Sequence, residues 1–386
     1  MGRLAIDRRT RVNQLNFMTR SLPQQALEQI AGARTRLNQS NVLVGLDGFV
    51  DTILHVVDKR ASADTFTRLS KMGEFAHRIH GAAGFSANFE FVTQMVKLGG
   101  NGPIMANALG AYGAPVTYIG TLGKPAIHPA FGDFAKRATV YSIADPGCTD
   151  AIEFDDGKLM CGKLETLKEV NWANLLRHIP EEKLLRIFSD SALIALVNWT
   201  MLPGMSAVFQ KVLTRIAPKL KGPKRWLFFD LADPAKRTSR DIEALLKLVR
   251  KFEKYFNVIL GLNLQESRRI GEILGITLKD ESFEHVTLHA AEIRETLRIH
   301  TVVIHPTAFA AAADAGGATY VIGPFTPKPK ITTGAGDHFN AGFCIGRLLG
   351  AGLAQSLQIG VATSGYYVRQ AKSPRLADLK RFLQTL

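Results

Sequence analysis

A turn of small residues leads directly into a carboxylate in the stretch ITTGAGDHFNAGF, residues 331–343. Gly334, Ala335 and Gly336 can turn tightly with their backbone N–H groups pointing outward. An apolar, helix-like run follows, and a helix that begins near Asp337 adds its unpaired N–H groups and the positive end of its dipole. Together these groups predict an anion hole. On this pattern alone Asp337 could simply cap the helix, because aspartate is a favoured N-cap residue.

Residue spacing excludes several other kinds of site. The phosphate loop G-x-x-x-x-G-K-[ST] is absent, and Gly334 and Gly336 lack the third glycine of a dinucleotide fingerprint. There is no H-E-x-x-H motif, and Cys148, Cys161 and Cys344 form no C-x-x-C pair. These cysteines argue against a disulfide framework or a zinc site. They suit a reducing compartment, so we expect a cytoplasmic protein.

Composition and charge limit the classes of partner. The 386 residues are 46% hydrophobic and 21% charged, as in an ordinary globular protein. No uninterrupted apolar run is long enough to span a bilayer, so we expect no membrane partner. The formal net charge of +14 favours anionic ligands and could indicate a nucleic-acid partner. The basic clusters have no interleaved aromatic residues and no known reader motif, so we predict that no nucleic acid binds.

Short apolar runs that are typical of buried strands alternate with amphipathic helical patterns along most of the chain. The strand-like runs include NVLVGL, SALIALVNW, RWLFFDLAD, NVILGLN and HTVVIHP. This alternation predicts an α/β fold with a doubly wound, mainly parallel sheet flanked by helices.

The same pass along the chain predicts its domain organisation. We expect one large domain over residues 41–386. A helical extension over residues 1–40 precedes it, with one amphipathic helix in LPQQALEQIAGARTRL. Strands near residues 52–57 and 151–162 would project as a small β lid. The second of these regions carries a hairpin signal at Asp156-Gly157.

Four segments in chain order resemble the ribokinase-like, phosphofructokinase-B type family of carbohydrate kinases. TTGAGDHFNAGF is similar to the second signature of that family, D-T-x-G-A-G-D followed by a helix. VGLDGFVD resembles the first strand and the turn that carries a substrate-binding aspartate. GGNGPIMANALGAYGAPVTYIGTLG resembles the first signature, and NLQES supplies an N-x-x-E motif. The resemblance covers residues 41–386 and implies the ribokinase-like fold.

The resemblance also implies how the opening stretch works. Asp337 would be the general base that takes the proton from a substrate hydroxyl as it attacks the γ-phosphorus of ATP. The N–H groups of Gly334, Ala335 and Gly336 would stabilise the charge on the transferred phosphoryl group. Thr333, in the same signature, is expected on the nucleotide side.

On the substrate side, the resemblance points to the first strand and the first signature. Asp51 would accept hydrogen bonds from sugar hydroxyls, with Asp47 as the close alternative because GLDGFVD contains both. Gly99, Gly100 and Asn101 would form the substrate loop, since glycines permit close approach and an asparagine amide can donate and accept. A plain turn with tight helix packing is the alternative. No lysine or arginine can be picked out as the ligand of a phosphorylated sugar.

On the nucleotide side, Asn263 would lie near the phosphates and Glu266 would organise Mg²⁺ through water, unless both only cap a helix. His305 and Thr307 are predicted to bind the nucleotide, although PTAFAAAAD differs from the glycine-bearing loop of the family. Ile331 stands where the family's second signature begins with aspartate, so activation by a monovalent cation is doubtful.

For four further side chains, solvent exposure or ordinary packing is the expectation. His338, next to the proposed base, could tune Asp337, but exposure to solvent is the expectation. Phe89, Phe91 and Met95 could line the substrate pocket, but packing in the core or the lid is the expectation.

These inferences lead to the hypothesis of an ATP- and Mg²⁺-dependent kinase that phosphorylates a hydroxyl of a sugar or sugar-like molecule. A nucleoside kinase of the same fold is the alternative, because Phe85, Phe89 and Phe91 could supply a slot for a base. A third hypothesis is a catalytically silent member that binds a metabolite, and the retained motif residues argue against it. We expect a small-molecule substrate, and the lid could also join two copies as a homodimer.

Overall fold

The computed structural model describes residues 21–386, which form two sheets and their flanking helices. In this range the strands are β1 Val42–Gly45, β2 Phe49–Arg60, β3 Phe66–Arg68, β4 Phe91–Gly99, β5 Val116–Gly120, β6 Thr139–Ser142, β7 Gly147–Phe154, β8 Gly157–Lys163, β9 Leu193–Leu196, β10 Arg225–Asp230, β11 Phe256–Leu262, β12 Thr301–Ile304, β13 Phe309–Asp314 and β14 Gly317–Ile322. The helices are α1 Leu22–Ile30, α2 Ala33–Asn38, α3 Met72–Gly81, α4 Asn101–Ala111, α5 Gly132–Ala135, α6 Trp172–His178, α7 Glu181–Asp190, α8 Met205–Lys211, α9 Ser239–Phe252, α10 Leu264–Leu274, α11 Phe283–Leu297, α12 Ala335–Leu348, α13 Leu353–Gln370 and α14 Leu376–Leu383. The first twenty residues of the predicted N-terminal extension lie outside the described range.

The large sheet has nine strands in the order β14-β13-β12-β11-β10-β9-β1-β5-β6. Every neighbouring pair from β12 to β6 is parallel, whereas β13 and β14 join in antiparallel fashion. The short aliphatic strands β1, β9 and β12 are buried along their whole length. Such strands occur where helices cover both faces of a parallel sheet, which confirms the predicted fold class.

Helices cover the two faces of this sheet and create two hydrophobic clusters. One cluster joins inward-facing strand residues to α6 through α11. The other joins the opposite strand faces to α1, α2, α4, α12, α13 and α14. No helix within residues 21–386 is both long enough and apolar enough to cross a membrane.

The second sheet contains both regions predicted to form a lid, residues 52–57 and 151–162, and is called the lid below. Its long strand β2 pairs with β4 on one side and with β7 and β3 on the other, and β7 turns back into β8. The predicted hairpin is present, with Phe154 opposite Gly157. Helix α3 packs on one face of the lid through Phe75, against Leu54 and Phe154. The lid therefore has a small apolar core of its own.

The extension before β1 differs from the prediction of one helix. Within its described part, α1 ends at Ile30 and α2 begins at Ala33. Gly32 adopts φ 68 between them, a left-handed conformation that interrupts the helix and that glycine tolerates best. Propensity and periodicity could not reveal this break, because the apolar spacing continues across it.

Strand β4 also departs from the sequence-based expectations, because it lies at the edge of the lid. Phe89 packs against the lid cluster, with its ring 5.1 Å from that of Phe75, as expected. Phe91 contacts Phe75 from 6.4 Å but is 41% exposed. Met95 is 56% exposed, so the expectation that it is packed was wrong. Phe85 is 85% exposed, whereas Phe89 and Phe91 both contact Phe75.

Candidate active site

The predicted anion hole lies at the N-terminus of α12, as the sequence indicates. Gly334 is the N-cap residue, with φ 89, and it makes no side-chain cap. A Cβ at Gly334 would lie 3.2 Å from both Ile104 and the Tyr367 hydroxyl, so the turn needs glycine for space as well as for conformation. Asp337 is the third residue of α12, in its first turn, so it is not the N-cap residue and the alternative that it merely caps α12 is wrong.

Asp337 is a buried carboxylate with one side-chain hydrogen bond. Only 8% of the residue is exposed, and its Oδ1 accepts from the Asn101 amide at 3.0 Å. Burial raises the pKa of Asp337 to about 8, and the nearby carboxylates of Asp47 and Glu266 act in the same direction. The Asn101 hydrogen bond opposes this shift because it stabilises the charged form. A carboxylate with this pKa can both accept and release a proton near neutral pH.

Asp47 is fully buried and held by the protein itself. Its Oδ1 accepts from the Gly102 N–H at 2.9 Å, and its Oδ2 accepts from the Asn198 amide at 2.7 Å. Burial raises its pKa to about 6. A Cβ at Gly100 would approach the Asp47 carboxylate to 2.8 Å, so this glycine packs directly against it. Asp47, which follows β1, therefore connects this strand to the first turn of α4 through its hydrogen bond with Gly102.

Asp51 has a different environment at the base of the lid. It is buried, and burial raises its pKa while the nearby Lys97 ammonium opposes the shift. A Cβ at Gly99 would lie 2.5 Å from its carboxylate, so the substrate loop predicted from Gly99 to Asn101 runs directly past Asp51. The structure therefore brings Asp51, that loop and Asp337 into one continuous chain of contacts.

Asn263 and Glu266 form a reciprocal helix cap. The Asn263 side chain accepts from the Glu266 N–H at 2.9 Å, and Glu266 Oε2 accepts from the Asn263 N–H at 2.8 Å. Glu266 Oε1 accepts from the Asp233 N–H at 2.9 Å, and burial raises the pKa of Glu266. Each carboxylate oxygen keeps a free lone pair, which can accept from a water of a hydrated ion. Within residues 21–386 no group of three or more His, Cys, Asp or Glu side chains is arranged to hold a metal ion directly.

Asp230 belongs to this acidic cluster, and the sequence analysis missed it. It ends β10 and accepts from the Ala232 N–H and the Asn340 amide, both at 2.9 Å. Burial raises its pKa well above the usual range, and the charges of Glu266 and Asp337 act in the same direction. Its position at the carboxyl end of a buried parallel strand was the signal that could have identified it, because ligands bind at that edge.

Two neighbouring cavities share Asn263, His305 and Thr307, and one of them adjoins the glycine turn. A cavity of about 410 Å³ extends past Ala335 and Gly336. Its wall is mainly apolar and includes Phe309, Pro324, Phe325, Phe339, Val361 and Val368. A second cavity, of about 520 Å³, extends instead to Asp233, Glu266 and Arg269. The residues predicted on the nucleotide side therefore lie together, with one exception.

That exception is Thr333, which does not line either cavity. Its carbonyl accepts a hydrogen bond from the Tyr367 hydroxyl at 2.9 Å, and the preceding Thr332 lines the 410 Å³ cavity instead. His305 does line both cavities, and burial lowers its pKa to about 4. Its ring is therefore neutral near pH 7, and its Nε2 has no partner among the described residues.

His338 does not face solvent, so that expectation was wrong. It is 2% exposed, and burial lowers its pKa to about 4. Its Nδ1 lies 2.7 Å from the Gly334 carbonyl and its Nε2 lies 2.8 Å from the Ser373 hydroxyl. Its ring stacks on Tyr367 with the centroids 3.6 Å apart. The neutral His338 ring therefore holds the glycine turn in place through its contact with the Gly334 carbonyl.

Comparison with solved structures defines the class of protein. The fold is similar to that of Arabidopsis thaliana ribokinase complexed with ribose and ATP, with a TM-score of 0.62 and 15% identity over 90% of this chain and 99% of that one. It is also similar to that of a nucleoside kinase of Methanocaldococcus jannaschii, with a TM-score of 0.60 and 14% identity over 90% of this chain and 99% of that one. These likenesses show a ribokinase fold, and the fold alone does not separate sugar from nucleoside.

Sequence comparison narrows the class to one family. The chain is 29% identical over 349 residues to a ketohexokinase of Haloferax volcanii, across 90% of this chain and 92% of that protein. The sequence model of the prokaryotic ketohexokinases matches residues 19–386, so the chain belongs to the prokaryotic ketohexokinase family. It is an ATP-dependent carbohydrate kinase that acts on a small molecule.

Proposed function

We propose that this protein transfers the γ-phosphoryl group of ATP to a hydroxyl of a ketohexose, with Asp337 as the general base. The observation that carries the proposal is the position of Asp337. It is buried, its pKa is raised to about 8, and it follows directly after the glycine turn that starts α12. The family membership and the ketohexokinase relative supply the substrate class.

Asp337 and the turn before it would perform complementary tasks. Asp337 would take the proton as the sugar hydroxyl attacks phosphorus, because a carboxylate of raised pKa is a stronger base than an exposed one. The N–H groups of Gly334, Ala335 and Gly336 would stabilise the charge that develops on the phosphoryl oxygens. This division explains why a carboxylate and an anion hole adjoin.

The cavity beside the turn and the cavity that adjoins it fit the parts of a nucleotide. The apolar wall of the 410 Å³ cavity suits a base, and the same cavity reaches Ala335 and Gly336. Asn263, His305 and Thr307 would contact the nucleotide where the cavities meet. Glu266 would hold Mg²⁺ through water, and bound Mg²⁺ neutralises negative charge on the phosphates. Because Ile331 offers no carboxylate to a monovalent cation, we expect potassium to leave the activity unchanged.

On the sugar side we propose Asp51, rather than Asp47, as the acceptor of substrate hydroxyls. Both oxygens of Asp47 already accept from protein donors, at 2.9 and 2.7 Å. Asp51 instead faces the loop of Gly99, Gly100 and Asn101, which leads to Asp337. Asn101 would then position both the base and the substrate.

The alternatives have less support. A nucleoside kinase needs an apolar slot on the substrate side, and it has less support because Phe85 is exposed while Phe89 and Phe91 contact Phe75. A silent metabolite-binding protein would have no need of a buried base at an anion hole. A homodimer through the lid remains a proposal, which the exposed Met95, Val96 and Met160 support. Localisation in the cytoplasm and the absence of a nucleic-acid partner remain predictions.

An ADP-release screen tests the proposed function. The purified protein, ATP and Mg²⁺ would be combined with ketohexoses, aldohexoses, pentoses, hexose phosphates, sugar acids and nucleosides. We expect the highest kcat/KM with a neutral ketohexose. A higher kcat/KM with a nucleoside or a hexose phosphate would contradict the proposed substrate, and no turnover with any of them would contradict the kinase.

A further inference from the structure

The row of side chains that contains Asp51 also contains an unpaired cation. Asp51 on β2 lies directly opposite Lys97 on β4 and directly opposite Thr149 on β7. Directly opposed residues on neighbouring strands project from the same face of a sheet. Asp51, Lys97 and Thr149 therefore form one polar row across the base of the lid.

Lys97 is half-buried, yet no residue within 21–386 accepts a hydrogen bond from its ammonium or forms an ion pair with it. Lys158, whose charge also acts on Asp51, is already paired, with Glu153 at 2.8 Å. Burial lowers the pKa of Lys97, because the ammonium has lost part of its hydration, and Asp51 opposes that shift. Lys97 therefore presents donors that the protein leaves unused.

The relation between Lys97 and Asp51 suggests what uses those donors. Each group shifts the pKa of the other, so the charges are close, but they form no direct ion pair. A sugar hydroxyl suits such a gap, since it can donate its proton to a carboxylate while its oxygen accepts from an ammonium. The carboxylate also packs against Gly99, which leads through Asn101 to Asp337.

The charges of the row favour an uncharged ligand. One carboxylate and one ammonium cancel, so a neutral polyol can satisfy both through hydrogen bonds. A phosphate or carboxylate on the substrate at this point would be attracted by Lys97 but repelled by Asp51, so the row gives it no net electrostatic gain. The row therefore selects hydroxyl groups.

We propose that Lys97 is a specificity-determining residue that, together with Asp51, binds one hydroxyl of a neutral ketohexose at the base of the lid. The inference rests on the proposed function and adds to it a residue that no sequence motif indicates. Thr149, on the other side of Asp51, completes the polar row.

The test is the substitution Lys97→Met, which keeps most of the length of the side chain and removes its charge. We expect the KM for ketohexose to rise about ten- to a hundredfold, as for the loss of one charge-assisted hydrogen bond, with the KM for ATP unchanged. A panel of ketohexoses that each lack one hydroxyl provides the second readout. With the sugar that lacks the hydroxyl bound by Lys97, wild type and Lys97→Met should have equal kcat/KM, because neither protein can form that hydrogen bond.

Lys158→Met is the matched control, since it removes a lysine of the same neighbourhood that already has a partner. We expect it to keep the wild-type KM for ketohexose, and Lys97→Arg to restore part of what Lys97→Met loses. An equal rise of the KM for ketohexose in Lys158→Met would overturn the proposal. A Lys97→Met variant whose kcat/KM equals that of wild type for every sugar of the panel would also overturn it. Wild type that phosphorylates no ketohexose would contradict the proposed function itself, so the two failures are distinguishable.

Discussion

The amide of Asn101 donates a hydrogen bond to the carboxylate of Asp337 at 3.0 Å, although 236 positions separate the two residues in the chain. Asn101 begins α4 and follows Gly99 and Gly100, whereas Asp337 lies in the first turn of α12. The contact therefore links the proposed substrate loop to the proposed base. It also stabilises the charged form of Asp337, which burial disfavours.

Replacing Asn101 with leucine should shift the pH dependence of catalysis. Asn101 lowers the pKa of Asp337, so its loss should raise that pKa further above about 8. Since the base acts when deprotonated, the acidic limb of the kcat–pH profile should move to higher pH. If the pKa rises by about one pH unit, the rate on that limb should fall by about tenfold. Profiles of wild type and Asn101→Leu at saturating ATP measure this, and superimposable acidic limbs would count against the assigned role of the contact.

Gly334→Ala should lower kcat by roughly ten- to a hundredfold, because it displaces the N–H groups of the anion hole. The added Cβ meets Ile104 and the Tyr367 hydroxyl at 3.2 Å, and φ 89 is unfavourable for alanine. Gly350→Ala is the matched control, because Gly350 has φ 71 but open space around it. Both variants carry the backbone strain of about 1–2 kcal/mol, and only Gly334→Ala should lose activity. Equal losses of kcat in the two variants would show that strain, rather than the anion hole, matters.

The buried carboxylate of Asp337 should also make stability depend on pH. Its pKa in the folded protein, about 8, lies above its unfolded value, so its contribution to stability is fully present below about pH 4 and is lost as pH rises through 8. Asparagine does not titrate. The free energy of unfolding of Asp337→Asn minus that of wild type should therefore increase with pH across this window, by at most about 1.4 kcal/mol per pH unit. Urea unfolding of both proteins across the window measures the difference, and a difference independent of pH would contradict the raised pKa.

The sequence predicted the large sheet well, because short aliphatic strands buried on both faces leave a clear pattern. It also placed Asp337 and Asn101 among the candidate site residues, and a hydrogen bond joins these two in the structure. It could not decide whether Asp337 caps α12, since that depends on the backbone conformation of Gly334. The cap proved to be Gly334 itself, whose positive φ is visible only in three dimensions.

Residues whose environment comes from distant segments were the hardest to predict. His338 is buried because Tyr367 and Ser373, from α13 and the segment after it, cover it. Asp230 is buried and accepts a hydrogen bond from the amide of Asn340 on α12, which lies 110 positions away in the chain. Lys97 was near the motifs in sequence, but only the pairing of β2 with β4 places it beside Asp51.

The turnover of Asp337→Asn tests the central claim most directly. The variant keeps the size of the side chain and removes the base, so kcat with ketohexose should fall by about two to four orders of magnitude. ATP binding, measured by calorimetry on the same sample, should stay near that of wild type, because the glycine turn and both cavities are unchanged. A kcat close to that of wild type would contradict the assignment of Asp337 as the general base.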